Sequence, residues 1–72
     1  MLVIDSSAVQ SCMLNKGFGV RELATLARIP PKTISALHRR DKAVFLPTLS
    51  RLAKALQVEP MELVKGAVSS EL

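Results

Sequence analysis

An all-α domain of five short helices is what this sequence predicts, and three observations carry the expectation. Apolar residues make up 49% of the chain but aromatics only 3%, with no Trp and no Tyr, so the core must be aliphatic, which suits packed helices. Apolar residues recur at spacings of three and four along most of the chain. Gly and Pro fall between those stretches, where helix stops and starts belong. Seventy-two residues allow one small domain, with its core expected over about 5–65 and 66–72 as a flexible or dimer-contacting tail. Cys12 is the only cysteine, so no internal disulfide can staple the fold.

Asp5, Ser6 and Ser7 can cap a first helix that carries Val9, Cys12 and Met13 on one face. Gly17 ends it, because glycine accepts the left-handed conformation of a helix stop. Gly19 then caps "VRELATLA", which buries Val20, Leu23, Ala24 and Ala27. Pro30 is held extended by the proline that follows it, whereas Pro31 suits the first position of a third helix, where its missing N–H has no helical partner to lose. That helix runs from about Pro31 to Arg39 on Ile34 and Leu37. A polar turn, "RRDKAV", leads to "LPTLSRLAKAL", with an inner stripe of Leu49, Leu52, Ala53 and Leu56. "QVEP" opens a fifth helix, "PMELVK", whose Met61 and Val64 align with Val68 as an expected dimer surface. Met1 to Ile4 is the alternative dimer element, as a small edge strand.

The net charge is +4, and its placement matters more than its size. Arg28, Lys32, Arg39, Arg40, Lys42, Arg51 and Lys54 cluster in the middle of the chain against a single acid, Asp41, while the flanks are slightly acidic. A basic block of this kind is the electrostatic footprint of a polyanion partner. No apolar run approaches the roughly 18–20 residues of a membrane span. "MLVI" lacks a basic lead and meets Asp5 at once, so the expectation is a soluble, cytoplasmic protein without a signal peptide.

Three or four residues separate the second and third helices, which fixes a steep angle between them: a helix-turn-helix. Together "GFGVRELATLARIPPKTISALHR" and "FLPTLSRLAKALQVEPMELV" resemble the phage repressor and Cro type of helix-turn-helix domain, the XRE family, over roughly Val9 to Lys65. The resemblance rests on Gly17-Phe18, Leu23-Ala24, Ile29, Thr33-Ile34-Ser35, Leu37 and Ala53 to Leu56 in that order. It implies a lambda-repressor-like bundle that binds double-stranded DNA in a bacterial nucleoid or a phage-infected cell. It also implies a homodimer on a roughly palindromic operator, because one such domain covers a half-site.

Carried over position by position, the resemblance makes Pro31, Lys32, Thr33 and Ala36 the base readers. Arg28, Ser35, Arg39, Arg40 and Lys42 become the contacts to the DNA backbone. Several positions depart from the family pattern. Val20 stands where a phosphate-binding glutamine is usual, Pro31 lacks a donor, and Arg28 occupies a turn position often taken by glycine. Met13 and His38 replace a paired arginine and glutamate, a coupled loss that strands no charge and makes His38 a structural residue.

No paired carboxylates, activated nucleophile or metal-ligand spacing is present in the sequence, so neither an enzyme nor a cofactor or metal is expected. No small-molecule ligand is expected either. The competing expectation is an interaction module, such as an antitoxin or antirepressor, that kept the fold while Val20, Pro31 and Ala36 weakened base reading. An excisionase-like architectural DNA binder is a variant of the first.

Overall fold

The structure, a computed structural model, describes residues 1–67. Its elements run β1 (Leu2–Ile4), α1 (Ser6–Lys16), α2 (Val20–Ala27), α3 (Pro31–Arg39), β2 (Lys42–Val44), α4 (Leu46–Leu56), a 3₁₀ turn (Pro60–Leu63) and β3 (Val64–Ala67).

The local signals account for the helices. Asp5 caps α1 by accepting a hydrogen bond from the Ser7 N–H at 3.0 Å, and Gly17 closes it in the left-handed region at φ 72°. Gly19 opens α2 without a side-chain cap, and α2 ends on Arg28, itself left-handed at φ 58° and ψ 43°. Pro30 is extended at φ −55° and ψ 139°, and its carbonyl accepts the first α3 bonds from Thr33 and Ile34. Pro31 takes the first helical position as its fixed φ dictates. In α4, Pro47 lies in the first turn and Gln57 supplies a second left-handed non-glycine stop, at φ 59°.

The all-α, five-helix expectation is corrected in two places. Four α-helices are found among the described residues, together with a three-stranded antiparallel sheet of order β2-β1-β3. Residues Leu2–Ile4 form its central strand, pairing Leu2 with Val44 on one side and with Ala67 on the other. The fifth helix reduces to the single 3₁₀ turn. Its start signal is real, since Glu59 and Glu62 form a reciprocal capping box. Val64 nevertheless turns extended, at φ −97° and ψ 127°, and pairs with Ile4. β-branched Val64 and helix-weak Gly66 favour the ladder over another helical turn.

Consequently Met61 and Val64 do not share a helical stripe: Met61 is exposed on the turn, and Val64 is half-buried in β3. Val68, the third residue of that expected dimer surface, lies outside the described residues.

One core joins all layers. Val9, Leu23, Ile34, Leu37, Leu49, Leu52 and Leu56 are fully buried with Ile4 from β1 and Leu63 from the turn. Each such side chain contributes about 1.5–3 kcal/mol by leaving water. The core expected over about 5–65 therefore takes in Ile4 as well. No polar side chain is buried among the described residues. α2 packs on both α3 and α4, so the helix-turn-helix is braced from behind by α4.

Candidate nucleic-acid interface

Helical geometry decides which α3 side chains face away from the core. Ile34 and Leu37 are fully buried and define the inner direction. At about 100° per residue, Lys32 and Arg39 project almost opposite to it, and Ser35 and Ala36 flank that line on either side. Burial agrees: Lys32 and Arg39 are exposed, and Ser35 and Ala36 are half-buried. Lys32 and Arg39 are two turns apart, roughly 10 Å along the axis, which puts one cation near each end of the helix.

Pro31 is exposed at the tip of α3, while Thr33 lies on its flank and is half-buried. The structure thus aligns Lys32, Ser35, Ala36 and Arg39 on one outward face with Pro31 at its edge. Thr33, expected beside Lys32, is turned partly toward the core. The α3 N-terminus adds the positive end of the helix dipole, which attracts phosphate.

Past α3, Arg40 and Lys42 bracket Asp41 at the entry to β2, and both cations are exposed. Among the described residues, none of Lys32, Arg39, Arg40 and Lys42 is in an ion pair; the salt bridge found is Lys65 Nζ to Asp41 Oδ2 at 2.8 Å. Asp41 Oδ1 also accepts from the Ser6 N–H at 2.9 Å. The acid inside the basic block is therefore spent on the fold, and it pins the Arg40–Lys42 segment to the start of α1. Lys65's hydrogen bond, and then the Ser6 N–H, hold the Asp41 carboxyl down from 3.8 to about 2.

Arg28 is placed differently. It is exposed at the left-handed stop of α2 and is one of the residues that line a groove with Arg51 and Lys54 of α4. No residue of α3 lines that groove.

The two departures at Val20 and at Met13/His38 have structural answers. Val20 is half-buried and packs on the core. Met13 is buried, and the His38 carbonyl accepts from Gln10 Nε2 at 2.7 Å, which ties α1 to α3 through a side-chain-to-carbonyl hydrogen bond rather than a buried ion pair. No buried side-chain polar atom among the described residues lacks a partner. Burial pushes the thiol of Cys12 up, away from the reactive thiolate. The described residues hold no group of three metal-ligating side chains, and no helix of theirs is long and apolar enough to cross a membrane.

Sequence reasoning missed Asp41's role because its partners come from a strand pairing that no local pattern encodes. It also missed Phe45 and Leu46, both exposed apolar residues where β2 meets α4. Their adjacency after "RRDKAV" was the available signal.

Comparison with solved structures places this geometry among known domains. The restriction-modification controller protein C.AhdI of Aeromonas hydrophila superposes with a TM-score of 0.73 at 26% identity, over 79% of this chain and 86% of that one. A hypothetical transcription factor, NHTF, of Neisseria aligns at a TM-score of 0.62 and 23% identity, over 90% of this chain and 83% of that one, which speaks for the fold alone. A Streptomyces albus enzyme, HEPD, solved with 2-hydroxyethylphosphonate and Fe(II), matches at a TM-score of 0.76 and 30% identity. That match takes in 90% of this chain but only 15% of the enzyme's own length. Among curated proteins no sequence match is found. The profile of the Cro/C1-type HTH DNA-binding domain matches residues 9–65, from inside α1 through the start of β3, so the chain belongs to that family.

Proposed function

We propose that this protein is a transcription regulator that lays α3 in the major groove of double-stranded DNA. The observation that carries the reading is the outward face of α3, where Lys32 and Arg39 stand opposite the buried Ile34 and Leu37 with only small side chains between them. Lys32 donates to guanine O6 and N7, and Ala36 lets the helix approach closely or meets a thymine methyl. Pro31 and Thr33 border the base readers. Ser35, Arg39, Arg40 and Lys42 bind phosphates, which sets affinity and register rather than sequence. Arg28 is set apart from that group, because it lies at the groove shared with α4.

A homodimer on a roughly palindromic operator completes the reading, since one α3 spans a half-site. Exposed Met61 is the proposed contact between copies. A phage or mobile-element repressor of Cro-like type, acting in the nucleoid or an infected cell, is the setting the family resemblance suggests. The test is fluorescence anisotropy of the full chain with a random-sequence duplex across a salt series. Affinity should fall linearly on a log–log plot, as counterion release requires. Affinity indifferent to salt would overturn the reading.

A second reading, a protein-interaction module, draws on Val20, Pro31 and Ala36, three apolar residues where relatives keep polar readers. The enzyme match shows the same fold as a small part of a chain solved with a phosphonate substrate. Lys32, Arg39, Arg40 and Lys42, in no ion pair among the described residues, favour DNA.

A further inference from the structure

The groove between the C-terminal ends of α2 and α4 has a volume of about 660 Å³ and a composition unlike the α3 face. Phe18, Leu26 and Ala55 give it apolar surface, and Arg28, Arg51 and Lys54 surround that surface with positive charge. Phe18 and Ala55 are half-buried and form the floor, whereas Leu26 is 54% exposed at the rim. A fourth cation lies close by, because Lys16 Nζ donates at 2.8 Å to Oε1 of Gln57, a lining residue. No Asp or Glu of the described residues lines the groove.

The helix ends work against this charge but do not cancel it. The C-termini of α2 and α4 each present roughly half a negative charge, about one unit together, against three full cations on the walls. The site therefore remains cationic.

We propose that this groove docks an acidic segment of a partner protein through an apolar anchor residue flanked by Asp or Glu. Charge complementarity selects the acidic character. The apolar floor selects a peptide over a duplex, because a phosphate backbone has no side chain to seat on Phe18, Leu26 and Ala55. The groove shares no residue with α3. The inference stands apart from the DNA-binding reading and does not depend on it.

The probe is a short synthetic peptide of Asp, Glu and Ser around a central Leu–Phe pair, titrated into the isotope-labelled full chain. Amide shift changes should concentrate at Phe18, Leu26, Arg28, Lys54 and Ala55 and spare Lys32 and Thr33. Replacing the Leu–Phe pair by Ser should weaken binding about tenfold or more. The exposed-residue variants Leu26→Ser and Arg51→Gln should each weaken the peptide by a similar factor with unchanged thermal unfolding, while duplex affinity stays within about threefold. Absence of binding overturns the proposal, as does equal binding of the anchor-free peptide, which would reduce the effect to charge attraction. Shift changes at Arg28, Arg51 and Lys54 produced by duplex DNA rather than by the peptide would assign the groove to phosphate instead.

Discussion

Asp41 and Lys65 are 24 residues apart in the chain and 2.8 Å apart in space, with the carboxylate's other oxygen on the Ser6 N–H. One acid thereby joins the exit of α3, the start of α1 and the strand β3. An exposed pair of this kind adds little stability by itself. Its consequence is positional: Arg40 and Lys42, the neighbours of Asp41, are held on a segment fixed at two points.

Asp41 makes stability depend on acid pH with a defined sign. Its carboxyl is held down to about 2 in the fold, against an ordinary 3.8, chiefly by the hydrogen bond from Lys65. A depressed folded-state value means that the contribution is complete above the ordinary value and is lost as pH falls from there toward about 2. Asp41→Asn should remove a small part of the acid-side loss of thermal stability across that window, as suits an exposed pair. Parallel melting-temperature curves for the two proteins would show that the clasp is absent in solution.

Lys32→Ala should relax base preference at one position of each half-site by about 1–3 kcal/mol without unfolding the domain, because Lys32 is exposed. Competition binding with duplexes mutated one base pair at a time measures it. A uniform loss across all duplexes would make Lys32 a phosphate contact.

Arg40→Ala should weaken every duplex alike and lower the salt slope by about one unit per monomer. A loss confined to one sequence would instead place Arg40 at a base edge.

Arg28→Gly should stabilise the fold. A left-handed non-glycine residue costs roughly 1–2 kcal/mol, and glycine's extra unfolded-state entropy returns about 0.5–1 kcal/mol of that, leaving a net gain of up to about 1.5 kcal/mol. Urea unfolding at neutral pH reads the shift. A loss of stability would mean that the Arg28 side chain contributes more packing at the α2–α4 groove than its backbone strain costs.

The helices were legible because their boundaries are chemical. Gly17, Gly19 and the Pro30-Pro31 pair act on φ and on N–H supply, so the expected and observed bounds of α2, α3 and α4 coincide. Of the sheet only the strand expected at Met1 to Ile4 was legible, and it lies at the centre of the sheet rather than at an edge. Three-residue strands such as Lys42–Val44 are too short to display an alternating pattern, and the pairing of Leu2 with Val44 and Ala67 is a tertiary fact. The fifth helix failed for the same reason, since "QVEP" encodes a start but the ladder with β1 decides where it stops. On the site, periodicity alone places Lys32 and Arg39 outward. The inward lean of Thr33, the engagement of Asp41 and the turning of Arg28 toward α4 all required the packed arrangement.

Selection from a random-sequence duplex library with the full chain tests the central claim most directly. The account predicts an enriched, roughly palindromic motif whose half-sites are spaced by about one helical turn, and which loses definition at one position per half-site for Lys32→Ala. Recovery of no enriched motif, from protein that is folded and retains its helical content, would contradict it.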